Sequence, residues 1–134
     1  QDKAVIIMFI DLNGFKQIND VYGHNAGDEA LIIIAKRLES AIRRGDQLSR
    51  LGGDEYLMGL TMNKEKLTEI KTITNKYVSI ISQPMEIEGV TMKVGASIGV
   101  SIYPQHSDDL EELINMADQK MYEIKKTKHS LEVA

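Results

Sequence analysis

The chain has 134 residues, 43% hydrophobic and 27% charged, with a formal net charge of -4 and no cysteine. That size makes one domain with room for a core, while the acidic balance argues against a general nucleic-acid binder, which needs a basic face for backbone phosphates. The missing cysteines exclude a disulfide framework or a thiolate metal site and fit a reducing compartment, and no apolar run approaches the roughly 20 residues of a membrane span.

No signal peptide is visible, and the opening Gln1-Asp2-Lys3, set directly before a strand, predicts a fragment of a longer protein. Residues 4–10 are continuously apolar, which predicts a strand buried on both faces and central in its sheet. It stops at the loop Asp11-Leu12-Asn13-Gly14. A short helix is expected over 15–22, ended by Gly23. A longer one is expected from about 27 to 44, with Leu31, Ile34, Ala35, Leu38 and Ile42 at helical spacing and Gly45 beyond its end. A hairpin follows, with strands over 47–51 and 56–60. Residues 64–82 read as an amphipathic helix that Pro84 blocks. Residues 90–103 are strand-rich, with Gly89 as a turn. Asp108 or Asp109 caps a last helix with apolar positions Leu110, Leu113, Ile114, Ala117, Met121, Tyr122 and Ile124. A final short strand is expected at 130–133. In a split β-α-β arrangement the first strand lies beside the hairpin, which brings Asp11 close to Asp54 and Glu55.

The hairpin tip is the most informative stretch: Arg50-Leu51-Gly52-Gly53-Asp54-Glu55-Tyr56. Paired glycines allow positive φ and remove bulk, so a phosphate or a base can lie against the backbone. Two adjacent acids can hold a divalent cation such as Mg²⁺, which takes a few carboxylates and completes its shell with water and phosphate oxygens. The plainer readings are polar turn residues for Asp54 and Glu55 and a helix N-cap for Asp11. Gly14, Phe15 and Lys16 open a helix, where backbone N–H groups attract anions; Lys16 alone is otherwise a surface lysine. Asn19 and Asp28 together could read the Watson–Crick edge of guanine, although Asp28 also suits the first turn of a helix. Arg43, Arg44 and Asp46 cluster at a helix end, and Lys120, Lys125, Lys126 and Lys128 make a basic end to the last helix; both clusters also suit the helix dipole. Met8, Met58, Met62, Met116 and Met121 are core filler. His24, His106 and His129 lack metal-ligand spacing, and no Walker-type phosphate loop occurs.

Five segments in chain order resemble the motifs of the GGDEF domains, the diguanylate cyclases. They are residues 9–20, Gly23-His24-Asn25-Ala26-Gly27-Asp28, Gly52-Gly53-Asp54-Glu55-Tyr56 (Tyr for the usual Phe), residues 96–101 and residues 117–125. The family's N-terminal Leu-Thr-Gly-Leu-x-Asn-Arg segment is missing, so residues 1–134 are expected to be a single, N-terminally truncated catalytic domain. The resemblance implies an α+β fold, a ferredoxin-like or palm-type mixed sheet flanked by helices and similar to adenylyl cyclase catalytic domains. It implies condensation of two GTP into cyclic di-GMP with release of two pyrophosphates. Asp11, the Leu12 carbonyl and Asp54 would hold Mg²⁺ (or Mn²⁺), with Glu55 supporting the catalytic site. One ion would help deprotonate the ribose 3′-hydroxyl and both would stabilise charge at the α-phosphate. Asn19 and Asp28 would read guanine; Gly14, Phe15, Lys16 and Lys125 would hold the β- and γ-phosphates, with Gly52 and Gly53 against the substrate. Arg43 and Asp46 match the family's Arg-x-x-Asp inhibitory site for the product.

The resemblance further implies a homodimer for activity, a sensor or receiver domain in the full-length protein, and no nucleic-acid or membrane contact by this domain. The location it implies is the bacterial cytoplasm, with membrane anchoring of the full-length protein left open. Where the family continues x-x-Gly-Arg-Asn after its lysine, this chain has Lys126-Thr127-Lys128-His129-Ser130. His129 stands at the phosphate-binding arginine, and Lys128 could replace it only as a point charge. Two rival readings are a catalytically inactive receptor for cyclic di-GMP or GTP and an inert dimerisation domain.

Overall fold

Strand β1, Lys3–Asn13, organises the molecule. A computed structural model describes residues 2–133, with side chains described for residues 2–127. Because side chains alternate along a strand, β1 feeds two cores. Ala4, Ile6, Met8, Ile10 and Leu12 join the larger one, and Ile7 and Phe9 the smaller. The expected burial on both faces is therefore borne out. Two helices follow, α1 (Phe15–Tyr22) and α2 (His24–Ala41). The hairpin strands are β2 (Gln47–Gly52) and β3 (Glu55–Asn63). A 3₁₀ segment, Lys64–Glu69, leads into α3 (Ile70–Ile81). A small ribbon of β4 (Met85–Ile87) and β5 (Val90–Met92) precedes β6 (Gly95–Tyr103) and the long α4 (Leu110–Val133).

The main sheet has the order β2-β3-β1-β6, and every pairing in it is antiparallel. The α+β palm-type expectation holds, but the sheet is antiparallel throughout rather than mixed. The reason is topological: β1 and β2 run the same way, yet β3 lies between them, and β3 and β6 flank β1 on opposite sides. Residues of α1, α2 and α3 pack with the β4–β5 ribbon in the larger core. Leu113, Ala117 and Met121 of α4 pack on Ile7 and Phe9 in the other. Gly99 makes that second contact close: a Cβ there would strike the backbone of Ala117 and Met121. The Ser101 hydroxyl donates to the Leu113 carbonyl at 2.6 Å and fixes the helix lengthwise.

Several boundaries differ from expectation. Helix α2 begins at His24, because Gly23 (φ 94°) makes the turn and Gly27 is tolerated inside the helix, where a Cβ would collide with the Asn19 side chain. It ends at Ala41 because Ile42 is extended and the Asp46 carboxylate captures the Arg43 N–H at 2.9 Å. Arg43 and Arg44 thus stand beyond the helix, and Gly45 (φ 94°) lies in the following turn. Residues 64–69 wind as 3₁₀ rather than α, their first N–H tied to the Asp2 carbonyl at 2.8 Å. The β4–β5 ribbon was legible only as the turn at Gly89, since three-residue strands carry too little pattern. The strand expected at 130–133 is the end of α4, because no glycine or proline interrupts the helix there. Asp109, not Asp108, caps α4, accepting from the Glu111 N–H at 3.2 Å. Leu110, Tyr122 and Ile124 of that helix face solvent.

Candidate active site

Strand register brings the distant acids together. Asp11 on β1 stands opposite Glu55 on β3, and on its other side opposite Ser97 on β6. The Leu12 N–H donates to the Asp54 carbonyl at 3.1 Å, which ties the hairpin tip to the end of the central strand. The tip turns through Gly52 (φ 144°) and Gly53 (φ 50°). Both φ values suit glycine far better than residues with a Cβ. The Arg50 Nε–H holds the turn by donating to the Gly53 carbonyl at 3.0 Å.

Asp11 is 8% exposed, and its Oδ1 has no hydrogen-bond donor. The Lys125 ammonium lies 3.1 Å from that oxygen, a charge contact that falls short of a directed hydrogen bond, and 3.4 Å from the Leu12 carbonyl oxygen. Burial pushes the Asp11 carboxyl above the usual range; Lys125 pulls it back and the neighbouring Asp54 charge adds to the rise. Glu55 is raised as well, first by burial and then by Asp11, Asp54 and Asp118. These are the effects of crowding carboxylates at one partly dry edge.

The donor set fits a hard divalent ion in a limited sense. Among the described residues no group of three or more His, Cys, Asp or Glu side chains is arranged to hold a metal. What the site offers is fewer protein ligands: carboxylates at Asp11 and Asp54 and the Leu12 carbonyl, with the Lys125 ammonium beside the buried Asp11 oxygen. Mg²⁺ commonly accepts one or two carboxylates and keeps waters and phosphate oxygens for the rest.

Beside the acids, Gly14 (φ 88°) starts α1 without a side-chain cap on the first N–H groups of the helix. Lys16 is exposed there, and half-buried Phe15 anchors the turn in the core. Asn19 is half-buried against Gly27 at the start of α2, next to exposed Asp28. Asp28 is the fifth residue of α2, so the first-turn reading fails for it. Two positioning residues escaped the sequence reading. The Asn13 amide donates to the fully buried Ser97 hydroxyl at 3.0 Å and clamps β6 to the end of β1. Only the matches of residues 9–20 and 96–101 to motifs pointed that way.

Arg43 and Asp46 lie apart from this edge, on the far side of the hairpin. The Asp46 side chain is 2% exposed and sits 3.4 Å from the Arg43 Nε. The Arg43 Nη2 donates to the Thr61 carbonyl at 2.7 Å. The guanidinium borders a cavity of about 290 Å³ that Lys66, Lys76 and Tyr77 also line. The side chains of Lys128 and His129 lie outside the described residues.

An antiparallel palm with acids at the end of its central strand and at the adjoining hairpin tip, next to a helix N-terminus, defines a palm-type domain. The model of the family described as diguanylate cyclase, GGDEF domain, matches residues 1–130, and the chain belongs to that family. It is 39% identical over 92% of its length to the bifunctional diguanylate cyclase/cyclic di-GMP phosphodiesterase MucR of Pseudomonas aeruginosa, of which it spans 18%. It resembles the crystal structure of a sensory box/GGDEF family protein from Caulobacter crescentus, with 31% identity and a TM-score of 0.88, covering 93% of this chain and 80% of that one. A solved structure describing how a microbial GGDEF domain interacts with cyclic di-GMP matches at 27% identity and a TM-score of 0.74, covering 92% of this chain and 74% of that one.

Proposed function

We propose that this domain is a diguanylate cyclase that joins two GTP molecules into cyclic di-GMP, with one GTP held by each of two facing copies. The observation that carries the reading is the convergence of Asp11 and Asp54 at a backbone-tied edge, with a buried Asp11 oxygen that faces the Lys125 charge. Asp11, the Leu12 carbonyl and Asp54 would hold Mg²⁺ or Mn²⁺, which when bound supplies charge neutralisation at the α-phosphate and a more acidic 3′-hydroxyl. The N–H groups opening α1 at Gly14, Phe15 and Lys16 receive the β- and γ-phosphates. Asn19 and Asp28 meet the guanine edge, and the bare backbone at Gly52 and Gly53 lets the nucleotide approach. Glu55 keeps the edge acidic beside the reacting hydroxyl. Arg43, oriented by buried Asp46, grips the phosphate and guanine of returning product, so output limits itself.

Substitutions test these roles. Asp11→Asn and Asp54→Asn are each expected to lower kcat at least about 100-fold, the usual scale for removing a transition-state charge partner. Arg43→Ala is expected to keep turnover and lose product inhibition. The direct assay is cyclic di-GMP formation from GTP and Mg²⁺ by the dimeric protein; a dimer that makes none ends the reading. A receptor role is the second reading, favoured by the pre-set Arg43–Asp46 pair beside its cationic cavity. Calorimetry showing tight cyclic di-GMP binding without turnover would select it. No helix of the described residues is long and apolar enough to cross a membrane. A cytoplasmic setting, with a sensor or receiver domain elsewhere in the polypeptide, is part of this proposal.

A further inference from the structure

The resemblance assigns Lys125 to the phosphates, and in the structure its ammonium rests on the acidic edge next to them. It lies 3.1 Å from Asp11 Oδ1 and 3.4 Å from the Leu12 carbonyl oxygen, two of the three groups assigned to the cation. Two cations cannot share a buried carboxylate oxygen at that range without strong repulsion. We propose that Lys125 is a placeholder cation that fills the divalent-ion position in the nucleotide-free protein and makes metal entry depend on triphosphate. The inference rests on the cyclase reading of the metal site.

The surroundings suit an exchange. The backbone of α4 is fixed by its close approach to Gly99 and by the Ser101–Leu113 hydrogen bond. Release of the ammonium is therefore a rotation of the lysine stem, not a shift of the helix. The Lys125 side chain is 38% exposed while that of Asp11 is 11%, so the cation has a way out and the carboxylate does not. Lysine is suited to this because its charge is a compact point on a flexible four-carbon chain. A triphosphate entering at the N-terminus of α1 offers the displaced ammonium a new anionic partner. Metal and nucleotide then favour each other's binding through one side chain, and the coupling is reciprocal.

The test is Mn²⁺ binding, followed by calorimetry, to the wild-type protein and to Lys125→Met, with and without a non-hydrolysable GTP analogue. The variant is expected to bind Mn²⁺ alone roughly 5- to 100-fold more tightly than wild type, and to lose most of the enhancement that the analogue gives, in line with typical coupling factors. Adding Asp11→Asn to Lys125→Met should abolish the gained affinity. Lys125→Gln serves the same purpose should the methionine variant not fold. Mn²⁺ that binds wild type with the analogue but gains nothing in either Lys125 variant overturns the placeholder and leaves the metal site standing. Mn²⁺ that binds no protein, with or without the analogue, overturns both.

Discussion

Tyr56, which replaces the more usual phenylalanine of the motif, is 1% exposed and donates its hydroxyl to the Leu31 carbonyl at 3.3 Å. A buried hydroxyl needs such a partner, and here it links the hairpin to α2. Tyr56→Phe is expected to cost about 1 kcal/mol, read as a lower denaturant midpoint at unchanged slope, with turnover intact. Glu55 behaves differently. Its carboxyl is raised by burial and by Asp11, Asp54 and Asp118, so the folded state holds the proton more tightly than the unfolded chain. Its contribution to stability is then complete below the unfolded pKa and lost as pH rises through the folded one. Glu55→Gln should therefore raise the Tm of the metal-free protein at about pH 8 and not at about pH 3.5, below the ordinary carboxylate range. An equal gain at both pH values would contradict that account.

At the scale of elements, the placement of α4 decides where Lys125 lands. Gly99 lets that helix approach β6 until backbone meets side-chain-free backbone. Gly99→Ala is expected to destabilise by about 1–3 kcal/mol through overpacking and to loosen Lys125 from Asp11. Gly59→Ala is the control: its Cβ would meet only the Gln47 Cβ at 3.9 Å, an ordinary contact. Chemical denaturation of the pair checks this, and comparable losses would refute it. The hairpin tip works by the same logic. Two glycines shape the turn, and one backbone hydrogen bond from Leu12 holds it at the end of β1.

At the scale of the whole molecule, one copy presents one acidic edge. If two copies must face each other, specific activity should rise with protein concentration until the dimer saturates and then level off. Initial rates over a dilution series check this, and a flat profile down to a monomer shown by light scattering would exclude the shared active site. Arg43 and Asp46 sit on a surface separate from that edge.

The sequence by itself determined the elements with strong local signals. The unbroken apolar run of β1, the α1 boundaries at Phe15 and Tyr22, the paired glycines and the ordered motifs were legible because each depends on neighbours within a few residues. Boundaries at Gly27 and Arg44 were missed because turn chemistry and tertiary contacts overrode local pattern: Gly27 stays helical since Asn19 fills its missing side chain, and Asp46 takes the Arg43 N–H; at Ser130 nothing in the sequence breaks the helix. Which acids would gather was inferable from strand order. That Asn13 and Ser97 clamp the edge, and that the Lys125 ammonium comes to rest on Asp11 and Leu12 across 113 positions of chain, only the tertiary structure decided. Neither contact has any signature in local sequence, because each exists only where two packed elements happen to end side by side.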